Sequence, residues 1–152
     1  MYGFDYHRPG SVADATSALG GADDGKYLAG GQTLLATMKQ RLAAPSDLVD
    51  LGGIADLKGI SVSGGTVTIG ATTTHAEVAA SADVQGAIPS LAALAGDIGD
   101  RQVRNAGTIG GSLANNDPAA DYPAAILALG ATVTTNKREI AADDFIKGLF
   151  ET

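Results

Sequence analysis

The chain has 152 residues, 21 of them glycine, with 45% hydrophobic and 18% charged residues and a formal net charge of −7. That apolar content supports a packed core rather than disorder, and the acidity argues against nucleic acid as the main partner. The absence of cysteine excludes disulfides, thiol catalysis and iron–sulfur clusters held by this chain. No segment approaches the ~20 apolar residues of a membrane span. The start, Met1-Tyr2-Gly3-Phe4-Asp5-Tyr6, has neither a basic nor an apolar signal region, so a soluble, cytoplasmic protein is the expectation.

The first stretch reads as a miniature β-α-β-α-β unit. After Pro9, Ser11 is a plausible N-cap, because its hydroxyl can accept from a free amide of the first turn. Val12, Ala15 and Leu19 follow at helical spacing, and Gly20-Gly21 supplies the stop. Lys26 to Ala29 reads as a short strand ending at Gly30-Gly31. Thr33 to Arg41 is a second helix, with Leu34 and Met38 stacked at i, i+4. Pro45 ends it, and Leu48 to Leu51 is a third strand.

A different texture begins near Leu57. Ile60 and Val62, Gly64-Gly65, then Val67 and Ile69 predict a hairpin with a two-glycine turn. Thr74-His75-Ala76-Glu77 matches a capping box, followed by a short helix to about Ala80. Pro89 to Ile98 is a further helix, whereas Gly99 to Tyr122 has no clean period. Pro123 to Leu129 is helical, with proline near N1 and Gly130 past the end. Val133 and Ile140 fit a hairpin turning at Asn136-Lys137, and Asp143-Asp144 a helix start. The alternation predicts an α+β fold in two lobes, 1–53 and 54–152.

Two glycine clusters could carry chemistry. Ala29-Gly30-Gly31-Gln32-Thr33 sits between strand and helix, where unpaired amides can face an anion and glycine permits close approach. An ordinary β-to-α turn is the bland reading. Thr108-Ile109-Gly110-Gly111-Ser112 lies in the aperiodic stretch with Arg101, Arg104, Asn105, Asn115, Asn116, Asp117 and Asp121. Long loops in a compact domain are often functional, and these small polar residues suit a diphosphate and a polyol chain. A turn-rich crossover is the alternative. Neither cluster matches a P-loop or a Rossmann fingerprint. His7 and His75 read as structural, Tyr27 and Tyr122 as core rather than stacked on an aromatic cofactor, and Arg101 and Arg104 as surface salt links or as contacts to an anionic cofactor or a partner subunit. No nucleophile–base pair or metal cluster stands out.

Phe4-Asp5-Tyr6-His7-Arg8-Pro9, the Ala29–Met38 segment and the run from Thr108 through Asn116-Asp117-Pro118-Ala119-Ala120-Asp121 occur in an ordered set. Together they resemble the FAD-binding medium subunit of molybdenum hydroxylases, of the carbon monoxide dehydrogenase type. The resemblance implies a vanillyl-alcohol-oxidase-like (PCMH-type) fold with FAD held between two α+β lobes. By position, Ala29, Gly30, Gly31, Gln32 and Thr33 would meet the FAD diphosphate through backbone amides. Thr108, Ile109, Gly110, Gly111 and Ser112 would wrap the diphosphate and ribityl side. Asp121 would bind ribityl or ribose hydroxyls, with Asn116 and Asp117 as neighbours.

The resemblance also implies partners: a large molybdopterin subunit that oxidises substrate and a small iron–sulfur subunit that feeds electrons to the FAD. The chain departs from the family pattern at Gln32, where histidine is frequent, and at Ala36, where proline is common. Family subunits also continue beyond the Phe145–Phe150 stretch, so the second lobe is expected to be incomplete at Thr152. A flavin-free interaction module that keeps the fold is the rival expectation. A stand-alone oxidase with covalent FAD is a weaker one, because no histidine lies at the first glycine loop.

Overall fold

In the computed structural model, which describes residues 1–152, the first lobe is built from β1 (Asp5–His7), α1 (Val12–Gly20), β2 (Gly25–Leu28), α2 (Leu34–Lys39) and β3 (Asp47–Asp50). Ser11 caps α1 by accepting the Asp14 amide at 3.1 Å, and the Gly21 amide closes the far end on the Ser17 and Ala18 carbonyls. The strands form a parallel sheet in the order β1-β3-β2, with Tyr6 beside Leu48 and Tyr27 beside Val49. Strand β3 takes the centre because it is the apolar one; Leu48 and Val49 are fully buried. Adjacent strand residues point to opposite faces, so the sheet needs cover on both sides. On one, Val49 packs with Ala15 of α1 and with Ile54, joined by Val12, Leu19 and Leu57. Burying one such aliphatic side chain is worth about 1.5–3 kcal/mol. This first cluster therefore reaches past Gly53 into the short 3₁₀ turns at Leu51–Gly53 and Ala55–Leu57.

The second lobe opens with the antiparallel hairpin β4 (Ile60–Ser63) and β5 (Thr66–Ile69), turning at Gly64 and Gly65, both with positive φ. Helices α3 (His75–Ala80), α4 (Ala82–Ala87), α5 (Pro89–Asp97), α6 (Arg101–Ala106), α7 (Ile109–Asn115) and α8 (Asp121–Ala128) follow. The capping box forms as the sequence predicts: the Glu77 amide donates to the Thr74 hydroxyl, and the Thr74 amide donates to the Glu77 carboxylate. A second core gathers Val78, Val84, Leu91, Ala92, Ala95, Ile109 and Tyr122. Small side chains at Ala92 and Ala95 let α3 and α5 lie close together. A hairpin of β6 (Thr132–Thr134) and β7 (Glu139–Ala141) and the single turn α9 (Ala142–Phe145) complete the chain. No helix is long and apolar enough to cross a membrane.

The fold is α+β, and five local expectations need correction. Helix α2 stops at Lys39, where Arg41 turns left-handed (φ 62) and the Leu42 amide returns to the Thr37 carbonyl, so Pro45 does not end it. The aperiodic stretch from Gly99 to Tyr122 is not loop: it holds α6 and α7, each too short to display a helical period. Helix α4, capped by Ser81, has no counterpart in the sequence reading for the same reason. Helix α8 starts at Asp121, so Pro123 occupies its third position, where the amide it lacks has no intrahelical acceptor. Tyr27 stays 42% exposed rather than joining the core, because β2 is an edge strand. Tyr122, by contrast, is fully buried.

Candidate functional site

Between the two lobes lies a cleft of about 540 Å³, within the usual range for small-molecule sites. From the first lobe it is lined by residues 28–34 and Thr37, and from the second by His75, Val103, Gly107, Thr108, Gly111 and Ser112 together with Asn115, Asp117, Ala119 and Ala120. Ala29, Gly30, Gly31, Gln32, Thr33, Thr108, Gly111, Ser112 and Asp117 are thus brought together as the sequence suggests. Ile109, Gly110, Asn116 and Asp121 do not line the cleft.

The first glycine loop has the donor set of an anion cradle. The main-chain amides of Ala29, Gly30, Gly31, Gln32, Thr33 and Leu34 donate to no acceptor in the chain; intrahelical bonding begins only with the Leu35 amide on the Gly31 carbonyl. Gly31 has φ +69, a conformation natural to glycine, and its missing side chain leaves room for Leu35. Gly30 is required by proximity: a Cβ there would lie 2.6 Å from the Gly107 Cα. This contact seats the loop against the end of α6. Thr33 stands at the N-cap of α2 without capping it, so its hydroxyl is free.

The second cluster uses its amides differently. Thr108 and Thr74 form a β-bridge, flanked by the His75 amide on the Gly107 carbonyl and the Ile109 amide on the Thr73 carbonyl. The Gly110 amide donates to the Ala71 carbonyl at 2.9 Å, and a Cβ at Gly110 would strike that backbone. Thr108 then caps α7 by accepting the Gly111 amide. What this loop presents to the cleft is therefore Ser112, Asn115 and glycine surface rather than a row of amides. Asn116 also turns inward to serve the fold. In the left-handed conformation (φ 45) and buried, it donates its side-chain amide to the Gly148 and Glu151 carbonyls at 2.7 and 2.9 Å. Asp121 is exposed at the first turn of α8.

Arg101 and Arg104 border a separate shallow depression with Ala76, Ala79 and Ala80. Arg104 donates to the Ile98 and Gly99 carbonyls that end α5 and forms no salt link. His7 lies against Asp47 at 2.7 Å on the first lobe. Asn115 and His75 are cleft residues that the sequence reading does not assign to the site. Asn115 was legible as a polar neighbour of the motif; His75 carried no signal of its own.

No group of side chains suits a metal ion. The cleft offers hydrogen-bond donors, hydroxyls and little charge, with Asp117 and His75 as its ionisable lining. That chemistry fits an extended, anionic, polyhydroxylated ligand, and it matches what comparison with known proteins gives. Residues 2–152 match the family described as FAD binding domain in molybdopterin dehydrogenase. The chain belongs to this family.

Among its relatives, the nicotine 6-hydroxylase medium subunit of Paenarthrobacter nicotinovorans is 40% identical over 97% of this chain and 53% of that protein. The carbon monoxide dehydrogenase medium chain of Hydrogenophaga pseudoflava is 43% identical over 98% of this chain and 54% of that one. Solved structures agree in fold. Carbon monoxide dehydrogenase from H. pseudoflava, in a form lacking the Mo-pyranopterin moiety, superposes with a TM-score of 0.93 at 44% identity, covering 98% of this chain and 54% of that one. Quinoline 2-oxidoreductase from Pseudomonas putida 86 gives 0.94 at 36%, covering 99% and 54%. The chain spans about half the length of these relatives. FAD is the family's cofactor, and the unpaired amides of residues 29–34 are the feature of this cleft that fits it.

Proposed function

We propose that the chain is the FAD-binding part of an electron-transfer subunit in a molybdenum hydroxylase complex. In this reading a large molybdopterin subunit oxidises substrate and a small iron–sulfur subunit relays the electrons. This subunit hands them, through FAD, to an external acceptor. The observation that carries the reading is the run of unpaired amides from Ala29 to Leu34 on one wall of the interlobe cleft.

Those amides are fixed before any ligand arrives, because Gly30 is wedged against Gly107 and Leu35 already bonds to Gly31. They would meet diphosphate oxygens without having to give up partners in the chain. Ser112, Asn115 and the free Thr33 hydroxyl would hold hydroxyl and phosphate oxygens along the rest of the cleft, with Asp117 at its second-lobe end. The flavin supplies the redox chemistry when bound, and the protein supplies position and electrostatics. No side chain needs to titrate for that role. With no cysteine in the chain, thiolate-held clusters would sit on a partner, consistent with division of labour among subunits. The proposed two-lobe split follows the same logic: the first lobe gives the wall of free amides, and the second the wall of Thr108, Ser112 and Asn115.

Titration of the apoprotein with FAD, followed by flavin fluorescence and absorbance, tests the reading. Saturable binding at one FAD per chain is expected. A protein that neither retains nor takes up FAD would overturn it in favour of a flavin-free module with the same fold.

A further inference from the structure

His75 is the one ionisable side chain of the second-lobe wall, apart from Asp117, and no part of the family motif includes it. It is the first residue of α3, held in place by its own amide on the Gly107 carbonyl at 3.0 Å. The residue is 5% exposed and still borders the cleft, beside Gly107 and Thr108. Its ring lies against Tyr122, centroids 5.3 Å apart.

The two ring nitrogens are in different surroundings. Nδ1 is sealed from solvent and has no hydrogen-bond partner. Nε2 also has no partner in the chain, but it lies on the ring edge turned toward Gly107, where an added Cβ would be 2.6 Å from it. A sealed N–H without an acceptor is rarer in proteins than a sealed acceptor without a donor. The favoured tautomer therefore leaves Nδ1 bare and carries the proton on Nε2. Burial also holds the imidazole pKa below its ordinary value, since a charged ring would have to seal an N–H at Nδ1. The side chain is thus a neutral donor with a fixed direction, and the absent side chain of Gly107 keeps its path to the cleft open.

We infer that His75 is a further FAD-binding residue, its neutral imidazole donating Nε2–H past Gly107 to an oxygen of FAD. The inference rests on the FAD reading above and adds a side-chain donor on the second-lobe wall, where the amides of Ile109 and Gly110 are engaged within the fold. It pairs Nε2 and leaves Nδ1 as a bare acceptor, the less costly of the two orphans.

The test uses the full chain, FAD as the probe, and long-range ¹H–¹⁵N spectra of the imidazole alongside binding titrations. Expected are the Nε2–H tautomer in the free protein and a clear shift of the Nε2 resonance as FAD is added. His75→Phe keeps a ring against Tyr122 and should weaken FAD about tenfold, the size of one good hydrogen bond. His75→Gln retains an N–H donor and should recover most of that loss. A proton on Nδ1, an Nε2 resonance unmoved by saturating FAD, or undiminished affinity in His75→Phe would overturn the role of His75 and leave the FAD reading standing. Failure of the unaltered chain to bind FAD would overturn both.

Discussion

Residues 29–34 and 108–112 are both glycine pairs at the start of a short helix, and both border the same cleft. In the first, every amide from Ala29 to Leu34 is free; in the second, the amides of Ile109, Gly110, Gly111 and Ser112 are all engaged within the chain. Glycine serves different ends in the two. Gly30 and Gly31 let an open loop stand close to the other lobe, whereas Gly110 lets α7 lie on Ala71. A glycine pair before a helix thus signals close backbone approach, and only the hydrogen-bond partners show whether the approaching body is a ligand or the protein itself.

Substitutions should separate the two loops, the first giving the largest effect. Gly30→Ala sets a Cβ against the Ala106 carbonyl and the Gly107 Cα, both main-chain atoms that cannot swing aside. Stability should fall by about 1–3 kcal/mol, and the loop should lift from its seat, so FAD affinity should drop more than tenfold. Thermal unfolding and flavin titration measure the two losses separately. Gly110→Ala presses on the Ala71 backbone in the same way and should also destabilise by about 1–3 kcal/mol. Its signature differs: FAD affinity measured well below the melting temperature should change less than threefold, because no free amide is disturbed. Equal affinity losses in the two variants would erase the distinction between the loops.

Thr108→Ala removes the α7 cap and should lower stability by about 1 kcal/mol, again with the amides of residues 29–34 untouched. Ser112→Ala reverses the pattern. Its hydroxyl has no partner in the chain, so unfolding should be nearly unchanged while FAD binding weakens by a few-fold. A Ser112→Ala protein with wild-type affinity would mean that Ser112 contributes shape alone.

The first lobe was legible because its signals are local. Ser11, the Gly20-Gly21 stop and the apolar Leu48-Val49 pair each act within a few residues. The first glycine loop was legible for the same reason, as strand, glycine pair and helix start are consecutive. Helices α4, α6 and α7 were not, since six or seven residues make fewer than two turns and cannot show a period. The roles of Ile109, Gly110 and Asn116 depend on partners distant in sequence: Thr73, Ala71, and the carbonyls of Gly148 and Glu151. Nothing near Asn116 in the sequence separates an amide facing a ligand from one that ties down the Gly148–Glu151 turn. His75 is hidden for a similar reason, because its exposure to the cleft depends on Gly107.

The smallest expected effect concerns what anchors the second loop. Thr74, the bridge partner of Thr108, is braced by Glu77, whose carboxylate accepts from the Thr74 amide and hydroxyl at 2.8 Å and pairs with Lys58 at 3.0 Å. Burial alone would raise the Glu77 pKa, but the Thr74 amide, Lys58 and the Thr74 hydroxyl together outweigh it, and the net shift is below the ordinary value of 4.5. A carboxyl held lower in the folded state stabilises the protein above 4.5, and that contribution disappears as pH falls through the lowered folded value. The Glu77 side chain is 41% exposed, so solvent screens the effect and keeps it under about 1 kcal/mol. Unfolding measured from pH 7 down to pH 3 should therefore show an acid-dependent loss that Glu77→Gln partly removes. Hydrogen exchange should locate it at Thr74 and Ile109, whose amides are protected by this brace and bridge. The amides of residues 29–34, unprotected at every pH, should report nothing. An acid response that began instead in the first loop would mean that the two walls of the cleft are not held independently.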